Sequence, residues 1–481
     1  MFTPNLNMNK LNIEINNLGI IKNANIELNG LTVLAGLNDM GKSFINKSIY
    51  SIVNTINKAA IQWDIDKYQG VINAQNQILS LHRQYVPINA EKQQKYVLAQ
   101  SRAFQSISQG TLPIGEYIFA IDELKKEVLN DLNMVNTTYA NQSPPHPQQK
   151  NILVNLKNTI INVENNFKLI YNLANDKIGD ADKNKNYKYL NYFDKQIISK
   201  IFQDQINTMP GGEPLIIKVN SGETPLLKIE VKNNKTTLFE SLSPLLIDDV
   251  TLIDSPIIIN FERYITQTRA YSGLAQTALL PDYYPDFLSK IGVISRTAKQ
   301  SQFSDIYVKI RSIIGGEWVF SQDEGGLIFQ KNNGIKVKPF NVATGIKSFG
   351  LIQMLLNYCD ANKISLSNSI FIIDEPEVHL HPKWEIQYAE LLVKLSNIGA
   401  NILLSTHSPY FVEAILKYSK EYKTTNKTKF YLASDTEDNL YSSYKDVTED
   451  VNPIFKKFAD PMKILSYPKK NVRPDNTNIQ N

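Results

Sequence analysis

One segment of eight residues near the start of the chain constrains the fold more than any other feature. Residues 36–43 read Gly-Leu-Asn-Asp-Met-Gly-Lys-Ser, which matches the G-x-x-x-x-G-K-[ST] pattern of a phosphate-binding loop. A continuous apolar run at 31–35 precedes this loop, as expected for a strand buried on both faces. A helical pattern follows from Ile45 to Ile56, with apolar residues spaced four, three and four apart. A strand, a loop and a helix in this order predict an α/β fold in which the backbone N–H groups of the loop surround a phosphate.

The residue types in this loop suit contacts with a nucleoside triphosphate. We expect Lys42 to reach the β- and γ-phosphates and Ser43 to ligate Mg²⁺. Glycines such as Gly41 permit a close approach of the backbone that a side chain would block, and the N-terminus of the helix favours negative charge. The predicted nucleotide-binding residues of this segment are Asn38, Gly41, Lys42, Ser43 and Phe44.

Two further apolar strands end in polar residues that suit catalysis. Residues 369–376 read Ser-Ile-Phe-Ile-Ile-Asp-Glu-Pro, so that two acids follow a buried strand. We expect Asp374 to bind Mg²⁺, directly or through water, and Glu375 to orient and partly deprotonate the attacking water. A βαβ unit leads from there to His407, where an imidazole would hydrogen-bond the γ-phosphate or the attacking water. The predicted catalytic residues are Lys42, Glu375 and His407, and the predicted metal ligands are Ser43 and Asp374.

These motifs, in this order, resemble those of ABC-class AAA ATPases, and most closely the SMC, RecF and overcoming-lysogenization-defect branch. Residues 36–43 are similar to Walker A, 370–375 to Walker B, 377–382 to the D-loop, and 406–408 to the segment of the switch histidine. The resemblance covers about residues 1–54 and 245–435. It implies an α/β fold, namely a P-loop NTPase of the ABC-ATPase type, here with a large helical insertion and a small β segment.

In that branch a signature segment lies at a helix N-terminus just before Walker B. Residues 342–350 occupy this place, with Ala343 and Thr344 where the family has serine and glycine. By resemblance, each signature segment completes the nucleotide site of the opposite subunit in an ATP-bound dimer. The candidates for the contact with the partner's γ-phosphate are Thr344, the amide of Gly345, and Lys347.

The sequence pattern between the motifs changes twice, from strands to helices and back to strands. From 57 to 208 glycine is rare and helical periodicity dominates, with an apolar seam from Leu153 to Ile170 that is short for a free coiled coil. Residues after 208 return to the alternation of strands. The predicted organisation is an ATPase domain in two parts (1–56 and 245–466), a helical hairpin or bundle (57–208), a small β-rich segment (209–244) and a disordered tail (467–481).

The resemblance implies ATP and Mg²⁺ as cofactors, hydrolysis of ATP to ADP and phosphate, and a homodimer or higher oligomer that forms with ATP. Stand-alone ATPases of bacterial anti-phage systems such as PARIS and Septu are similar in layout. The leading hypothesis is therefore an ATPase switch in phage defence that controls DNA engagement or an effector nuclease or toxin from a neighbouring gene. The alternatives are a DNA repair or recombination ATPase of the RecF/SMC type and the nucleotide-binding subunit of an ABC transporter.

Several sequence features bear on these alternatives. Lys42 and Gly345 lie too far apart in the chain for a compact transporter module. The acidic residues between Asp435 and Asp450 lie in a polar, loop-like stretch, so we expect a solvated loop rather than a nuclease site. DNA is a candidate partner because a basic stretch runs from Lys417 to Lys429, although no base-reading motif accompanies it.

The composition indicates the compartment. Hydrophobic residues make up 42% of the chain, the net charge is +4, and the single cysteine excludes an intramolecular disulfide. The N-terminus lacks the pattern of a signal peptide, and no apolar run approaches the roughly 18 residues of a transmembrane helix. We therefore expect a cytoplasmic protein without a membrane partner.

Overall fold

The computed structural model describes residues 10–108, 114–141, 147–174, 181–207, 212–245, 247–262, 281, 283–291, 301–321, 323–437 and 440–466. The chain divides into two compact units. The first contains 1–57 and 193–481, and the second contains 58–192. The second unit ends before 208, because the chain from Phe193 onward packs with the first. The predicted tail at 467–481 lies outside the described residues.

The described strands belong to two sheets. They are β1 (Leu11–Leu18), β2 (Ile21–Leu28), β3 (Leu31–Ala35), β4 (Leu215–Ser221), β5 (Thr224–Lys232), β6 (Lys235–Ser241), β7 (Asp249–Ile253), β8 (Gly316–Ser321), β9 (Gly326–Lys331), β10 (Lys336–Val337), β11 (Ser369–Asp374), β12 (Asn401–Thr406), β13 (Thr428–Asp435) and β14 (Ser442–Asp446).

The large sheet combines a parallel half with an antiparallel half. Its strand order is β6-β5-β4-β1-β2-β14-β13-β3-β12-β11-β7. The five strands β13, β3, β12, β11 and β7 run parallel to one another. β1, β2, β4, β5 and β6 form antiparallel pairs. The strands expected to form a small β segment therefore extend the same sheet through the pairing of β4 with β1.

The described helices are α1 (Lys42–Arg83), α2 (Ala90–Ala103), α3 (Ile114–Ala140), α4 (Pro147–Ala174), α5 (Ala181–Tyr192), α6 (Tyr283–Ile291), α7 (Ser304–Ile314), α8 (Thr344–Asn362), α9 (Pro382–Asn397), α10 (Pro409–Glu421) and α11 (Asn452–Ser466). Short helical turns occur at Phe104–Ser108, Phe193–Ile198, Pro256–Phe261, Pro339–Asn341, Leu366–Asn368 and Thr425–Lys427. In the part of the chain with described structure, no helix has the length and apolarity that crossing a bilayer requires.

The parallel strands lie at the centre of the first unit. Every residue of β3 and β12 is buried, which explains their continuous apolar patterns. Alternate side chains of β3, β11 and β12 pack with α8, α9 and α10 in one hydrophobic core. Because parallel strands end at the same edge of a sheet, this packing brings the residues that follow β3, β11 and β12 together.

Two of the helices around these strands begin at residues whose side chains cap them. Ser408 is the N-cap of α10, and its hydroxyl accepts a hydrogen bond from the N–H of Phe411 at 3.3 Å. His381 caps α9 in the same way through Nδ1, which accepts from the N–H of Lys383 at 3.2 Å. A proline follows each cap, at the position where its missing N–H costs nothing.

Residues 442–446 differ from the sequence-based expectation of a loop-like stretch. They form β14, which pairs antiparallel with β13 and parallel with β2. Asp435 at the end of β13 forms an ion pair with Lys457 of α11 at 3.1 Å. The strand is the second arm of a hairpin with β13, and its other edge pairs with β2, which is distant in the chain, so a local sequence pattern does not contain all of that information.

The second unit is a bundle of helices with its own core. The distal part of α1 contributes Val71, Ala74 and Ile78 to this core. The apolar seam predicted for residues 153–170 lies on α4, where it buries Leu156, Val163, Phe167 and Ile170 against residues of the other helices. The α3 residues in this core are Tyr117, Ile121, Leu124, Val128 and Leu132.

Candidate functional site

The glycine-rich loop connects β3 to α1 and is shaped by close backbone packing. Gly41 has a φ of +80°, a conformation that favours glycine. A Cβ at this position would lie 2.6 Å from Cγ1 of Ile21, and a Cβ at Gly36 would lie 2.7 Å from that of Ala433. Both glycines are therefore required by contacts within the protein as well as by the loop conformation.

Lys42 is the first residue of α1, and its side chain turns back into the loop. Its Nζ donates to the carbonyl oxygens of Gly36 at 3.0 Å and Leu37 at 2.8 Å. The same atom lies 3.3 Å from Oε1 of Glu375, and the side chain is only 4% exposed. The structure thus places the predicted phosphate-binding cation next to the predicted catalytic acid.

The other predicted loop residues differ in their surroundings. Asn38 is exposed and Ser43 is half-buried on the first turn of α1. Phe44 packs its ring against Phe202, with centroids 5.5 Å apart, and donates its N–H to the carbonyl of Gly41 at 3.0 Å. The side chain of Phe44 therefore anchors the loop to the protein rather than facing solvent.

Asp374 ends β11 and accepts two hydrogen bonds on one oxygen. Its Oδ1 accepts from Nδ2 of Asn46 at 2.9 Å and from the hydroxyl of Ser405. Among the described residues, Oδ2 accepts no hydrogen bond. Ser405 is directly opposite Asp374 in the parallel pairing of β11 with β12.

Glu375 has an unusual backbone conformation that Ser405 supports. Its φ is +45°, in the left-handed region that residues other than glycine adopt at a cost. Its N–H donates to the carbonyl oxygen of Ser405 at 3.1 Å and lies 3.2 Å from the Ser405 hydroxyl. The neighbouring His407 and Lys42 hold the pKa of the Glu375 carboxyl below its ordinary value. This carboxyl is therefore ionised at neutral pH.

His407 follows β12, and its imidazole lies between two acids. Nδ1 is 3.5 Å from Oε1 of Glu375 and 3.4 Å from Oε1 of Glu377, distances too long for well-formed hydrogen bonds. The Glu375 carboxylate, followed by Glu377, raises the pKa of His407 above its ordinary value against the opposing effect of burial. Glu377 also accepts from the hydroxyl of Thr406 at 2.6 Å and from the N–H of His407 at 2.7 Å.

The predicted signature residues lie at the start of α8. Ala343 is its N-cap, and the N–H groups of the first helical residues, Thr344 and Gly345, have no described partner. Thr344 is half-buried, whereas Lys347 is only 3% exposed. Burial lowers the pKa of Lys347, and among the described residues no carboxylate forms an ion pair with it. No described contact joins these residues to Lys42 or Glu375.

Gly345 faces the interior of its own chain. A Cβ added there would lie 2.7 Å from Cζ3 of Trp384 and 3.1 Å from a methyl group of Leu380. Only the backbone N–H of Gly345 is therefore suited to a ligand contact. A large side chain at this position would disturb the packing of α8 on α9 before it affected any partner.

Three residues that shape this site were not among the predicted site residues. Asn46 lies one helical turn after Lys42, so helical spacing alone places it on the same face of α1. Ser405 could have been found as the residue aligned with Asp374 in two neighbouring parallel strands. Glu377 begins the segment that is similar to the D-loop, but its contact with His407 could not be predicted, because it depends on the turn that follows β11.

The sequence matches a family model described as an AAA ATPase domain over residues 8–412. The matched stretch includes the loop at 36–43, the two acids Asp374 and Glu375 at the end of β11, and His407. The chain belongs to the AAA ATPase domain family. This match and the parallel order of β13, β3, β12, β11 and β7 confirm the predicted α/β P-loop NTPase fold.

One curated relative of this AAA ATPase is similar over a limited stretch. The retron Vc95 probable ATPase of Vibrio cholerae serotype O1 biovar El Tor is 33% identical over 114 residues. These residues are 22% of this chain and 21% of the relative. The chain therefore spans about a fifth of the length of the curated relative that it matches.

Solved structures of SMC head domains are similar to this AAA ATPase at low sequence identity. The SMC head domain from Thermotoga maritima is 12% identical, with 92% of this chain and 99% of that chain covered and a TM-score of 0.35. The SMC head domain with a coiled coil and joint from Pyrococcus yayanosii is 9% identical, with 94% and 99% covered and a TM-score of 0.33.

Proposed function

We propose that this AAA ATPase binds ATP in the loop at 36–43 and hydrolyses it with Glu375 as the general base. The observation that carries the proposal is the position of the Glu375 carboxylate, 3.3 Å from Nζ of Lys42 and 3.5 Å from Nδ1 of His407. A base, a buried cation and an imidazole thus meet at one edge of the sheet. An ionised carboxylate in this place can accept a proton from a water molecule that attacks the γ-phosphate.

The residues at this edge also fit Mg²⁺, which prefers oxygen ligands and retains several waters. Ser43 offers a hydroxyl on the first turn of α1, and Asp374 offers Oδ2 while Asn46 and Ser405 hold Oδ1. When bound, the ion supplies charge compensation to the phosphates. We assign Ser43 and Asp374 to its binding, with Asn46 and Ser405 orienting the carboxylate.

Lys42 and His407 supply the positive charge that phosphate requires. The buried ammonium of Lys42 already hydrogen-bonds carbonyl oxygens of the loop, so its position is set before ATP binds. The raised pKa of His407 keeps the imidazole protonated to a higher pH than usual, so it can donate a hydrogen bond to a phosphate oxygen or to the attacking water. Both groups stabilise negative charge in a partly buried environment, where such contacts are stronger than in water.

We further propose that the start of α8 binds the γ-phosphate of a second subunit. The first turn of α8 contains two N–H groups without a described partner and the buried side chain of Lys347, and both features favour an anion. A buried cation without a counter-ion is costly, and an anion from a partner would compensate it. ATP binding would then pair two ATPase domains, and hydrolysis would separate them.

The biological role proposed for this pairing is a switch that controls a partner effector in defence against phage. A change of assembly with the bound nucleotide gives an effector nuclease or toxin two states to distinguish. The local similarity to the ATPase of a retron supports this role. Co-purification of the protein with the product of a neighbouring gene, with and without ATP, tests it.

DNA repair or recombination is the second candidate, because a basic stretch accompanies the end of α10. Lys417 and Lys420 lie on this helix, and Lys429 lies on β13, 4.0 Å from carboxylate oxygens of Glu27 and Asp446. Part of this charge is therefore compensated within the protein. Binding to duplex DNA that weakens steeply with salt, and ATP turnover that rises with DNA, would favour this second function.

Glu375→Gln tests the catalytic proposal. The variant should bind MgATP as the wild type does, because it keeps the size of the side chain, and should hydrolyse it at least about a hundredfold more slowly, as expected for the loss of a general base. Glu413→Gln, at an exposed position of α10, is the matched control and should hydrolyse ATP normally. Wild-type turnover in the Glu375→Gln variant would assign the base to another residue.

A further inference from the structure

A buried carboxylate holds the turn that carries His407. Oε1 of Glu377 accepts from the hydroxyl of Thr406 at 2.6 Å and from the N–H of His407 at 2.7 Å. The same oxygen lies 3.4 Å from Nδ1 of His407, and Glu377 is only 6% exposed. One oxygen atom therefore contacts the backbone and the ring of His407 and the side chain that precedes it.

The chemistry of Glu377 is poorly explained by stability alone. Burial raises the pKa of its carboxyl, which shows that this environment disfavours the charge. Its second oxygen, Oε2, is buried without a hydrogen-bond partner among the described residues. An apolar residue of similar size would avoid both costs, since buried charges are often replaced by packed hydrophobic residues without loss of stability.

We infer that Glu377 is a positioning residue that acts on ATP hydrolysis through His407. It fixes the backbone N–H of His407 and the hydroxyl of Thr406 at one oxygen atom. The backbone from which the imidazole extends is therefore held in place, with Nδ1 near Glu375. The inference rests on the proposed function, in which Glu375 and His407 act together on the attacking water and the γ-phosphate.

A second buried acid, which contacts the same turn from α9, provides a matched comparison. Oε2 of Glu385, on α9, accepts from the hydroxyl of Ser408, and the residue is 7% exposed. It has no described contact with His407. Glu377 and Glu385 thus share residue type, burial and position beside the turn, and they differ in whether they contact His407.

Two substitutions of Glu377 separate the effect of the hydrogen bonds that it accepts from the effect of its charge. Glu377→Gln keeps an oxygen acceptor for Thr406 and for the N–H of His407, so most of the hydrolysis rate should remain. Glu377→Ala removes that acceptor, and kcat should fall roughly 10- to 100-fold, the scale on which misplaced catalytic groups act. ATP affinity and melting temperature should change little in the Gln variant. Glu385→Gln should hydrolyse ATP as the wild type does.

A double-mutant cycle with His407→Ala decides between positioning and general support of the fold. If Glu377 acts through the histidine, Glu377→Ala should lower kcat in the wild type but have no further effect in the His407→Ala background. Effects that multiply in the double variant, or a Glu385→Gln variant as slow as Glu377→Ala, would overturn the inference. A Glu377→Gln variant as slow as Glu377→Ala would also contradict it.

The cycle also separates this inference from the proposed function. If His407→Ala hydrolyses ATP at the wild-type rate, the proposed role of His407 fails, and the inference fails with it. If His407→Ala is slow while Glu377→Ala is as fast as the wild type, only the inference fails. Retained ATP binding, measured by calorimetry on the full chain, ensures that each comparison concerns catalysis.

Discussion

Nζ of Lys42 lies 3.3 Å from Oε1 of Glu375, although β12 separates the strands that precede the two residues. Strands two apart in a sheet are about 9–10 Å from each other. The contact forms because Lys42 is long and Glu375 turns out of the strand with a φ of +45°. The strained turn at the end of β11 thus directs the carboxylate toward the phosphate-binding loop.

Lys42→Ala should abolish detectable ATP binding. The substitution removes the buried ammonium that hydrogen-bonds Gly36 and Leu37 and that would meet the phosphate charge. Calorimetric titration with MgATP measures the effect. Lys383→Ala, at an exposed position of α9, controls for the loss of one positive charge and should bind normally. Unchanged affinity in Lys42→Ala would refute the assignment of the loop.

Asp374→Asn should lower the affinity for Mg²⁺, so that more Mg²⁺ is needed to promote ATP binding. Asparagine keeps an oxygen that can accept from Asn46 and Ser405, but it removes the negative charge that favours a divalent cation. The Mg²⁺ concentration for half-maximal binding should rise on the order of tenfold, whereas binding in excess chelator should stay the same. Asp435→Asn, at a surface ion pair, should leave the Mg²⁺ dependence unaltered.

Thr344→Arg should prevent ATP-dependent pairing while leaving ATP binding intact. Thr344 is half-buried at the first position of α8, and its side chain has no described contact, so a larger residue can project without disturbing the core. Gly345 is unsuitable for this test because it packs on Trp384. Light scattering with MgATP should show a doubled mass for Glu375→Gln but not for the double variant Thr344→Arg, Glu375→Gln. One unchanging mass for both proteins would exclude pairing through α8.

Gly350→Ala should destabilise the first unit. A Cβ at Gly350 would lie 2.1 Å from Nε1 of Trp318, a buried side chain of β8. Overpacking of this kind costs about 1–3 kcal/mol, which thermal or denaturant unfolding detects. Gly115→Ala on α3 is the control, because a Cβ there meets nothing within 4 Å and alanine favours the helix. Equal stability of Gly350→Ala and the wild type would mean that Trp318 can move aside.

The stability of the helical unit should fall as the pH decreases through the range in which free histidine titrates. His82 is buried and contacts Tyr96 and Asp131, and Lys92 forms an ion pair with the same Asp131. Burial lowers the pKa of His82 below its ordinary value of 6.5. Between that lowered pKa and 6.5 the unfolded unit binds more protons, so the free energy of unfolding decreases on acidification.

Hydrogen exchange of the α2 and α3 amides between about pH 7.5 and 5.5, corrected for intrinsic rates, measures this change. His82→Gln cannot take up the proton and should show a flatter dependence on pH. A slope equal to that of the wild type would show that another group in this unit titrates.

The local part of the site could be predicted because it depends on short-range patterns. The apolar run of β3, the glycines of the loop and the start of α1 are neighbours in the sequence, so their geometry follows from strand and helix preferences. The positions of Asp374 and His407 were predictable for the same reason, since Asp374 ends one buried apolar strand and His407 follows another. The sequence by itself thus determined the P-loop architecture and four of the polar residues at its sheet edge, namely Lys42, Asp374, Glu375 and His407.

Tertiary structure alone decided how these residues meet. The proximity of Lys42 to Glu375, the hold of Glu377 on His407, and the packing of Gly345 on Trp384 all depend on segments distant in the chain. The insertion of β14 between β2 and β13 has the same origin. Short-range preferences do not predict such contacts, because the contacts arise from the burial and backbone pairing of the whole sheet.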